Sequence, residues 1–307
     1  MSEAGERVLS YETFNVRTDV FHHDSGAYRW RETTGRMGIA PAVFAPEEAL
    51  AAFEDAGTPR IGFAVARPVA DGIEYRVPSP LSVGWRLLGA KIRPGDAVGL
   101  AAALGGALRG LHRKPVPPGY AEVPRRLREL SDWAWSGLGT RDASFLHTAV
   151  AERLGTARWK IVLDWCAELV GRRACLCHGA VTLGHLVPDE ELSRGWLLTG
   201  PDIGASGPEV DVGKFLAEIP AYTEITGMME RGALDLGEIA RAFLDGYGDG
   251  VDRDRTGRAA TVMYLSGLRH VAAHLGWREL INARIDRLAD MIDGAGRSLV
   301  AAGEPLC

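Results

Sequence analysis

Residues 175–191 read CLCHGAVTLGHLVPDEE and hold two histidines whose side chains could take part in chemistry. His178 precedes a glycine, and its imidazole could brace a loop by hydrogen bonding or act in a reaction. His185 follows Gly184, so its ring could contact a metal or a phosphate, or lie at the surface of a turn. Two readings therefore stay open for each histidine.

Three acidic residues follow an apolar run, Trp196-Leu197-Leu198, in a segment rich in glycine and proline. Asp202 is the best candidate for a metal ligand, because such loops approach phosphate groups closely. An Asx turn is the alternative role for its carboxylate. Glu209 is a second acid that could face phosphates. Asp211 could join them, or it could accept hydrogen bonds from the loop backbone or cap the next helix.

The composition limits the classes of protein that the chain can belong to. Its 307 residues can bury a large core, and a net charge of −5 argues against broad binding to nucleic acid or to an anionic membrane. No apolar run reaches the ~20 residues that a bilayer requires. The four cysteines predict reduced thiols in a cytoplasmic protein. We expect Cys175 and Cys177 to point to opposite faces of a strand.

Two regions differ in their patterns. Residues 1–95 contain short strand-like runs at 11–16, 60–69 and 72–77 and one helical stretch at 45–57, which predicts an antiparallel sheet with a helix. Residues 96–307 predict a larger helical part, with Asp96 as an N-cap and a leucine stripe along 100–111. A loop-rich segment, 175–213, interrupts the helices. The pattern predicts an α+β protein of two lobes with a ligand cleft between them.

Several residues occur in the order and spacing that are typical of a known family. They are Leu111-His112, His178-Gly179, Gly184, Gly204, Pro208 and Asp211. Over roughly residues 90–280 the chain resembles the aminoglycoside phosphotransferase and choline kinase family. The resemblance implies a bilobal protein-kinase-like fold and an ATP-dependent, Mg²⁺-dependent transfer of phosphate.

The residues that do the chemistry in that family are replaced here. The position of the family's catalytic Asp is Ala180, that of its Asn is His185, and that of its second metal ligand is Thr199. The family's sheet lysine has no counterpart, because the first lysine of this chain is Lys91. The resemblance therefore leaves Asp202 as metal ligand and, as phosphate-pairing residues, the arginines Arg17, Arg29 and Arg31, with Glu32 orienting one of them from a helix.

Part of the segment, HGAVTLG followed by LLTGPDIGASGPEVDVG, resembles the kinase-like subunits of class V lanthipeptide and thioamitide biosynthesis. That resemblance implies phosphorylation of Ser/Thr hydroxyls in a ribosomal precursor peptide, followed by phosphate elimination on a partner lyase. Two alternatives remain. The chain could be a pseudokinase that binds a peptide or partner protein, or, with less support, a small-molecule kinase of the aminoglycoside type.

Overall fold

The computed structural model describes residues 5–12, 16–23, 26–36, 45–139, 142–228, 234–275 and 279–301. It has an α+β fold, in which a sheet-rich amino-terminal part precedes a helical carboxyl-terminal part. None of the helices in these ranges combines the length and the apolarity needed to cross a bilayer.

The amino-terminal part is built on a five-stranded antiparallel sheet in the order β1-β2-β3-β6-β5. Its elements are β1 (Arg7–Glu12), β2 (Val16–His22), β3 (Tyr28–Thr34), α1 (Glu47–Ala56), β4 (Ile61–Val65), β5 (Arg67–Val69), β6 (Gly72–Val77) and α2 (Val83–Leu88). The predicted helix at 45–57 and the predicted strands at 60–69 and 72–77 are confirmed. The run at 11–16 lies partly outside the described residues.

One residue of this sheet corrects an expectation. Glu32 lies in β3 and not in a helix, because Tyr28–Thr34 pairs with β2 on one side and β6 on the other. Trp30 and Glu32 share one face of β3, since alternate residues of a strand point the same way. Trp30 belongs to a core with Leu198, so this face looks toward the carboxyl-terminal part.

The carboxyl-terminal part is mainly helical, and its loop-rich segment holds four short strands. The helices are α3 (Pro94–His112), α4 (Arg125–Ser136), α5 (Ala143–Gly171), α6 (Glu209–Met228), α7 (Gly237–Tyr247), α8 (Arg253–Leu275), α9 (Glu279–Asp293) and α10 (Arg297–Val300). The strands are β7 (Cys175–Cys177), β8 (Leu186–Pro188), β9 (Gly195–Thr199) and β10 (Gly204–Ser206).

Helix α3 shows how the sequence forms these elements. Its predicted leucine stripe is confirmed, because Leu100, Leu104, Leu108 and Leu111 are all fully buried. The predicted N-cap is displaced: α3 begins at Pro94, and the Asp96 carboxylate accepts a hydrogen bond from the Arg93 backbone N at 2.8 Å. Asp96 thus closes a capping box from the third helical position.

A small sheet connects the two parts of the chain. Strand β4 pairs in parallel with β9, and β8 pairs with β9 on its other side. The backbone N of Ala66 also donates to the Thr199 carbonyl at 2.9 Å. The strand that leads to Asp202 is therefore fixed directly to the amino-terminal part. The predicted boundary at residue 95 remains a prediction.

Candidate active site

The loop after β7 is held by one carboxylate. Asp211, in the first turn of α6, accepts hydrogen bonds from the backbone N of His178 at 2.6 Å and of Gly179 at 2.7 Å. It also contacts Nε2 of His112, at the end of α3, at 3.0 Å. Asp211 is fully buried and joins α3, α6 and the loop. Of its three expected roles (facing phosphates, accepting from the loop backbone, and capping the next helix), the geometry supports hydrogen bonding to the loop backbone.

His178 is held by backbone groups on both ring nitrogens. Its Nε2 donates to the Leu198 carbonyl at 2.9 Å, and its Nδ1 accepts from the backbone N of Ala180 at 3.2 Å. Burial lowers the pKa of His178, although the Asp211 charge opposes this shift. The ring is neutral and braces the loop against β9, so its hydrogen bonds support the bracing role.

His185 presents a different arrangement. Its Nδ1 donates to the Ala180 carbonyl at 2.9 Å, and no hydrogen bond among the described residues uses its Nε2 lone pair. Burial, and after it the nearby Arg126 guanidinium, lower the pKa of His185 to about 3. The ring is therefore neutral at physiological pH and has an acceptor nitrogen available. Such a nitrogen can bind a metal or take part in proton transfer.

Asp202 is a buried acid that two arginines neutralise. Its carboxylate accepts from Nε of Arg126 at 2.9 Å and from Nε of Arg125 at 3.2 Å, both in the first turn of α4. Burial alone would raise the pKa of Asp202, but Arg126 and Arg125 outweigh it and hold the value at about 2. Only 5% of the residue is exposed. A cation at this carboxylate must compete with the guanidinium groups.

A second acid faces this group from the amino-terminal sheet. Burial raises the pKa of Glu32 to about 7, with Arg126 lowering it and Asp202 raising it. Glu32 therefore lies within electrostatic range of the Asp202 pair and changes charge near neutral pH. Carboxyl groups with a strongly shifted pKa occur often at functional sites. We define the Asp202 cluster as Glu32, Arg125, Arg126, His185 and Asp202.

Two glycines allow the elements of the cluster to approach closely. Gly179 has φ of +79°, and a Cβ there would lie 2.0 Å from the Asp202 carbonyl oxygen. A Cβ on Gly200 would lie 2.4 Å from the Tyr75 hydroxyl of β6. The loop, the segment after β9 and the amino-terminal sheet therefore meet at a distance that only glycine permits.

The remaining predicted site residues lie elsewhere. The structure does not bring Arg29 or Arg31 to Asp202, because both point to the face of β3 opposite Glu32. Arg29 lies near the Phe21 ring and Glu74, and Arg31 pairs with Asp71 at 2.5 Å. The phosphate-pairing role of Arg29 and Arg31 stays a prediction that this placement does not favour.

Arg17 and Glu209 also have partners outside the cluster. Arg17 lies on β2, on the face that it shares with Asp19, and Asp19 is opposite Arg31 on β3. Arg17 is therefore on the same face of the sheet as Arg29 and pairs with Asp19 at 2.8 Å. Glu209 is buried at the start of α6, and its Oε1 lies 3.4 Å from Nη1 of Arg172. The other oxygen of Glu209 has no hydrogen-bond partner among the described residues. The structure therefore places neither residue beside Asp202.

Two family positions lack available groups. Ala180 has no functional side chain, and the Thr199 hydroxyl donates to the Leu197 carbonyl at 2.9 Å. The sequence reasoning missed Arg125 and Arg126. Their signal was the tandem pair in VPRRLREL, at the start of a helix whose opposite face is apolar.

Solved structures similar to this chain identify its fold. No family model matches the chain, and no curated protein does. An ethanolamine kinase from Plasmodium vivax matches with a TM-score of 0.50 and 10% identity, covering 95% of this chain and 84% of that one. A choline/ethanolamine kinase family protein from Mesorhizobium loti matches with a TM-score of 0.50 and 15% identity, covering 97% and 92%.

A third solved structure belongs to a related class of enzyme. The aminoglycoside phosphotransferase APH(3'')-Id from Streptomyces rimosus matches with a TM-score of 0.49 and 16% identity, covering 90% of this chain and 94% of that chain. On the strength of the two kinases at 0.50, the chain has the protein-kinase-like fold that choline and ethanolamine kinases share.

Proposed function

We propose that the protein is a phosphotransferase that uses ATP with Mg²⁺. The observation that carries the proposal is the pairing of the buried Asp202 carboxylate with Arg125 and Arg126, beside the neutral His185. Asp202 lies just after β9. A carboxylate can bind the cation of a nucleotide, and guanidinium groups can bind its phosphates.

Each group has a role in this proposal. Asp202 would hold Mg²⁺, whose positive charge stabilises the charge that develops during phosphoryl transfer. Arg125 and Arg126 would pair with phosphate oxygens in place of the family's lysine, because a guanidinium can bind two oxygens at once. His185 takes the family's Asn position in the sequence. Its Nε2 lone pair would contact the metal or the acceptor hydroxyl.

Glu32 is the best candidate for a proton acceptor, since Ala180 supplies none. A general base works best when its pKa lies near the working pH, and that of Glu32 is raised to about 7. Phosphoryl transfer depends more on position and charge than on proton removal. We therefore expect loss of Glu32 to reduce the rate less than loss of Asp202.

We further propose that the acceptor is a Ser/Thr hydroxyl of a ribosomal precursor peptide and that a partner lyase then eliminates the phosphate. The sequence resemblance in 178–213 supports this, and so does an aromatic pair beside the cluster. Tyr11 and Trp85 have ring centroids 5.6 Å apart, Trp85 is 43% exposed, and Tyr11 lies within electrostatic range of Glu32. Exposed aromatic rings are typical of peptide-binding surfaces. We place the reaction in the cytoplasm, where ribosomal peptides and ATP meet.

One observation favours a second candidate, a pseudokinase that binds a peptide without transferring phosphate. Glu32, an acid, occupies the inner face of β3, and Asp202 already has two cationic partners. An acid at that face repels phosphate whenever it is ionised. The two candidates differ in whether phosphate moves.

The test measures transfer directly. The full-length protein is incubated with ATP, Mg²⁺ and a Ser/Thr-rich precursor peptide, and mass spectrometry reports added phosphate. We expect the natural chain to produce phosphopeptide. We expect Asp202→Asn to lower the rate by about 100-fold or more, and Asp286→Asn, on the surface of α9, to leave the rate unchanged. Binding of the peptide without phosphate gain would establish the pseudokinase.

A further inference from the structure

Two cysteines and one histidine meet in the core below the loop. Cys175 and Cys177 lie two residues apart in β7, and their sulfur atoms are 3.9 Å apart. This corrects the expectation that they point to opposite faces, because residues i and i+2 of a strand share a face. Together with His112 they offer three ligand atoms that all lie within 4.8 Å of one another.

We propose that His112, Cys175 and Cys177 form a binding site for a thiophilic divalent cation such as Zn²⁺. Two thiolates bound to one tetrahedral zinc at about 2.3 Å lie about 3.8 Å apart, so the sulfurs already have the required separation. The imidazole nitrogen and each sulfur need a separation of about 3.6 Å, so the ring has to move inward by about 1 Å.

Hydrogen bonds already orient the histidine for this role. Nε2 of His112 lies 3.0 Å from the Asp211 carboxylate, which can only accept, so Nε2 carries the proton. Nδ1 then holds the lone pair, and it accepts from the Tyr247 hydroxyl at 2.8 Å. A carboxylate that fixes the second nitrogen of a ligating histidine is the usual support of a metal site.

The Tyr247 hydroxyl occupies the Nδ1 lone pair in this structure, at 2.8 Å. A ligand nitrogen of His112 nevertheless lies within 4.8 Å of both sulfurs. A cation bound between the sulfurs and Nδ1 would replace the hydrogen bond from Tyr247 to the ring. The three ligands and their support thus come from α3, β7, α6 and α7.

The charge of the site suits its burial. Two thiolates offset the charge of a divalent cation and the imidazole is neutral, so the cation with its three ligands adds no net charge to the core. The thiols now make weak hydrogen bonds to backbone carbonyls, among them Cys175 to Ser206 at 3.5 Å and Cys177 to Gly207 at 3.4 Å. Binding replaces these contacts and releases the two thiol protons.

A cation here would fix the position of the candidate catalytic loop, because Cys177 directly precedes His178. The site does not depend on the proposed transfer reaction. It joins the end of α3 to β7 through metal bonds, in addition to the hydrogen bonds of Asp211. We therefore expect binding to raise the stability of the whole fold.

The test uses the full-length protein, reduced and freed of metal with a chelator. We expect one Zn²⁺ per chain, a melting temperature that rises with Zn²⁺ concentration, and a thiolate charge-transfer band with Cd²⁺. The variant Cys175→Ser/Cys177→Ser should lose the stoichiometric ion and the band. The variants Cys166→Ser and Cys307→Ser should keep both, which shows that the other two thiols are not required.

Co²⁺ keeps the test valid if the double variant fails to fold. Added to the natural chain, Co²⁺ at this site should give the intense visible bands of tetrahedral coordination with sulfur–cobalt charge transfer. Weak octahedral bands, the absence of stoichiometric Zn²⁺, or a Cd²⁺ band that survives in the folded double variant would each overturn the proposal.

Discussion

The Asp202 carboxylate and the Arg126 guanidinium form a partly buried ion pair, with Oδ2 and Nε 2.9 Å apart. The pair joins the segment after β9 to the first turn of α4, residues that are 76 positions apart in the chain. It accounts for the low pKa of Asp202 and for much of the electrostatic environment of Glu32 and His185. The cluster is therefore a coupled unit, and changes to one member should alter the others.

Removing the acid should destabilise the protein. Asp202→Ala removes the carboxylate that pairs with Arg125 and Arg126 and leaves both guanidinium groups without it. Breaking a buried ion pair in this way costs about 3–5 kcal/mol. Because the side chains of Arg125 and Arg126 are 37% and 30% exposed, we expect the lower value of about 2–3 kcal/mol in the free energy of unfolding. Urea unfolding measures it. The control, Asp286→Ala, breaks an exposed pair with Arg153 and should cost about 1 kcal/mol or less.

Glu32 should make the protein less stable as the pH rises. Its pKa in the folded chain is about 7 against an ordinary value of 4.5, so the folded state binds the proton more tightly. Stability therefore falls between about pH 4.5 and 7 and stays low above that range. Glu32→Gln should remove this dependence and stabilise the protein by about 1–2 kcal/mol at pH 8.

The control for this measurement is Glu74→Gln, on the opposite face of the same sheet, which should leave the fall in stability unchanged. An unfolding free energy of Glu32→Gln that still declines from pH 5 to pH 8, as in the natural chain, would show that Glu32 is not the group responsible.

His185 should remain neutral across the physiological range. Its pKa in the folded chain is about 3 against an ordinary 6.5, so protonation opposes folding. The free energy of unfolding is therefore unaffected by His185 above about pH 6.5, and it decreases as the pH falls from 6.5 toward 3. Nitrogen NMR shifts of the ring should show a proton on Nδ1 and no titration from pH 8 to pH 5. His185→Gln identifies the signals, and a midpoint near 6.5 would refute the buried, neutral state.

Gly179 should tolerate no side chain. Gly179→Ala places a Cβ against the Asp202 carbonyl oxygen in a left-handed backbone conformation. The conformation alone costs about 1–2 kcal/mol, and the clash adds to it. Gly119→Ala is the matched control, because Gly119 has a similar φ of +77° and no atom of the described residues lies within 4 Å of its Cβ position. Equal losses for the two variants by thermal unfolding would show that the loop does not approach Asp202 as described.

The sequence predicted the elements whose apolar residues repeat with a clear period. The buried leucines of α3 followed from the pattern alone. Strand β3 was missed because its letters, YRWRETT, are mostly charged or polar. Glu32 also departs from simple alternation, since an acid occupies the inner face beside Trp30.

The site was predictable in part, for a physical reason. Spacing placed His178, His185 and Asp202 in one segment, and the structure keeps them within electrostatic range of one another. The arginines that neutralise Asp202 could not be assigned, because no local pattern links α4 to a loop so distant in sequence. The arginines that were expected lie on the outer face of the sheet, a property of strand register rather than of composition.

Nucleotide binding at the Asp202 cluster tests the proposed phosphotransferase most directly. The melting temperature of the full-length protein is measured with increasing ATP and Mg²⁺, and then repeated for Asp202→Asn and for the surface variant Asp286→Asn. We expect a rise that depends on ATP concentration for the natural chain and for Asp286→Asn, and we expect Asp202→Asn to lose that rise. An unchanged melting temperature of the natural chain at millimolar ATP, or an equal rise in Asp202→Asn, would contradict the proposal.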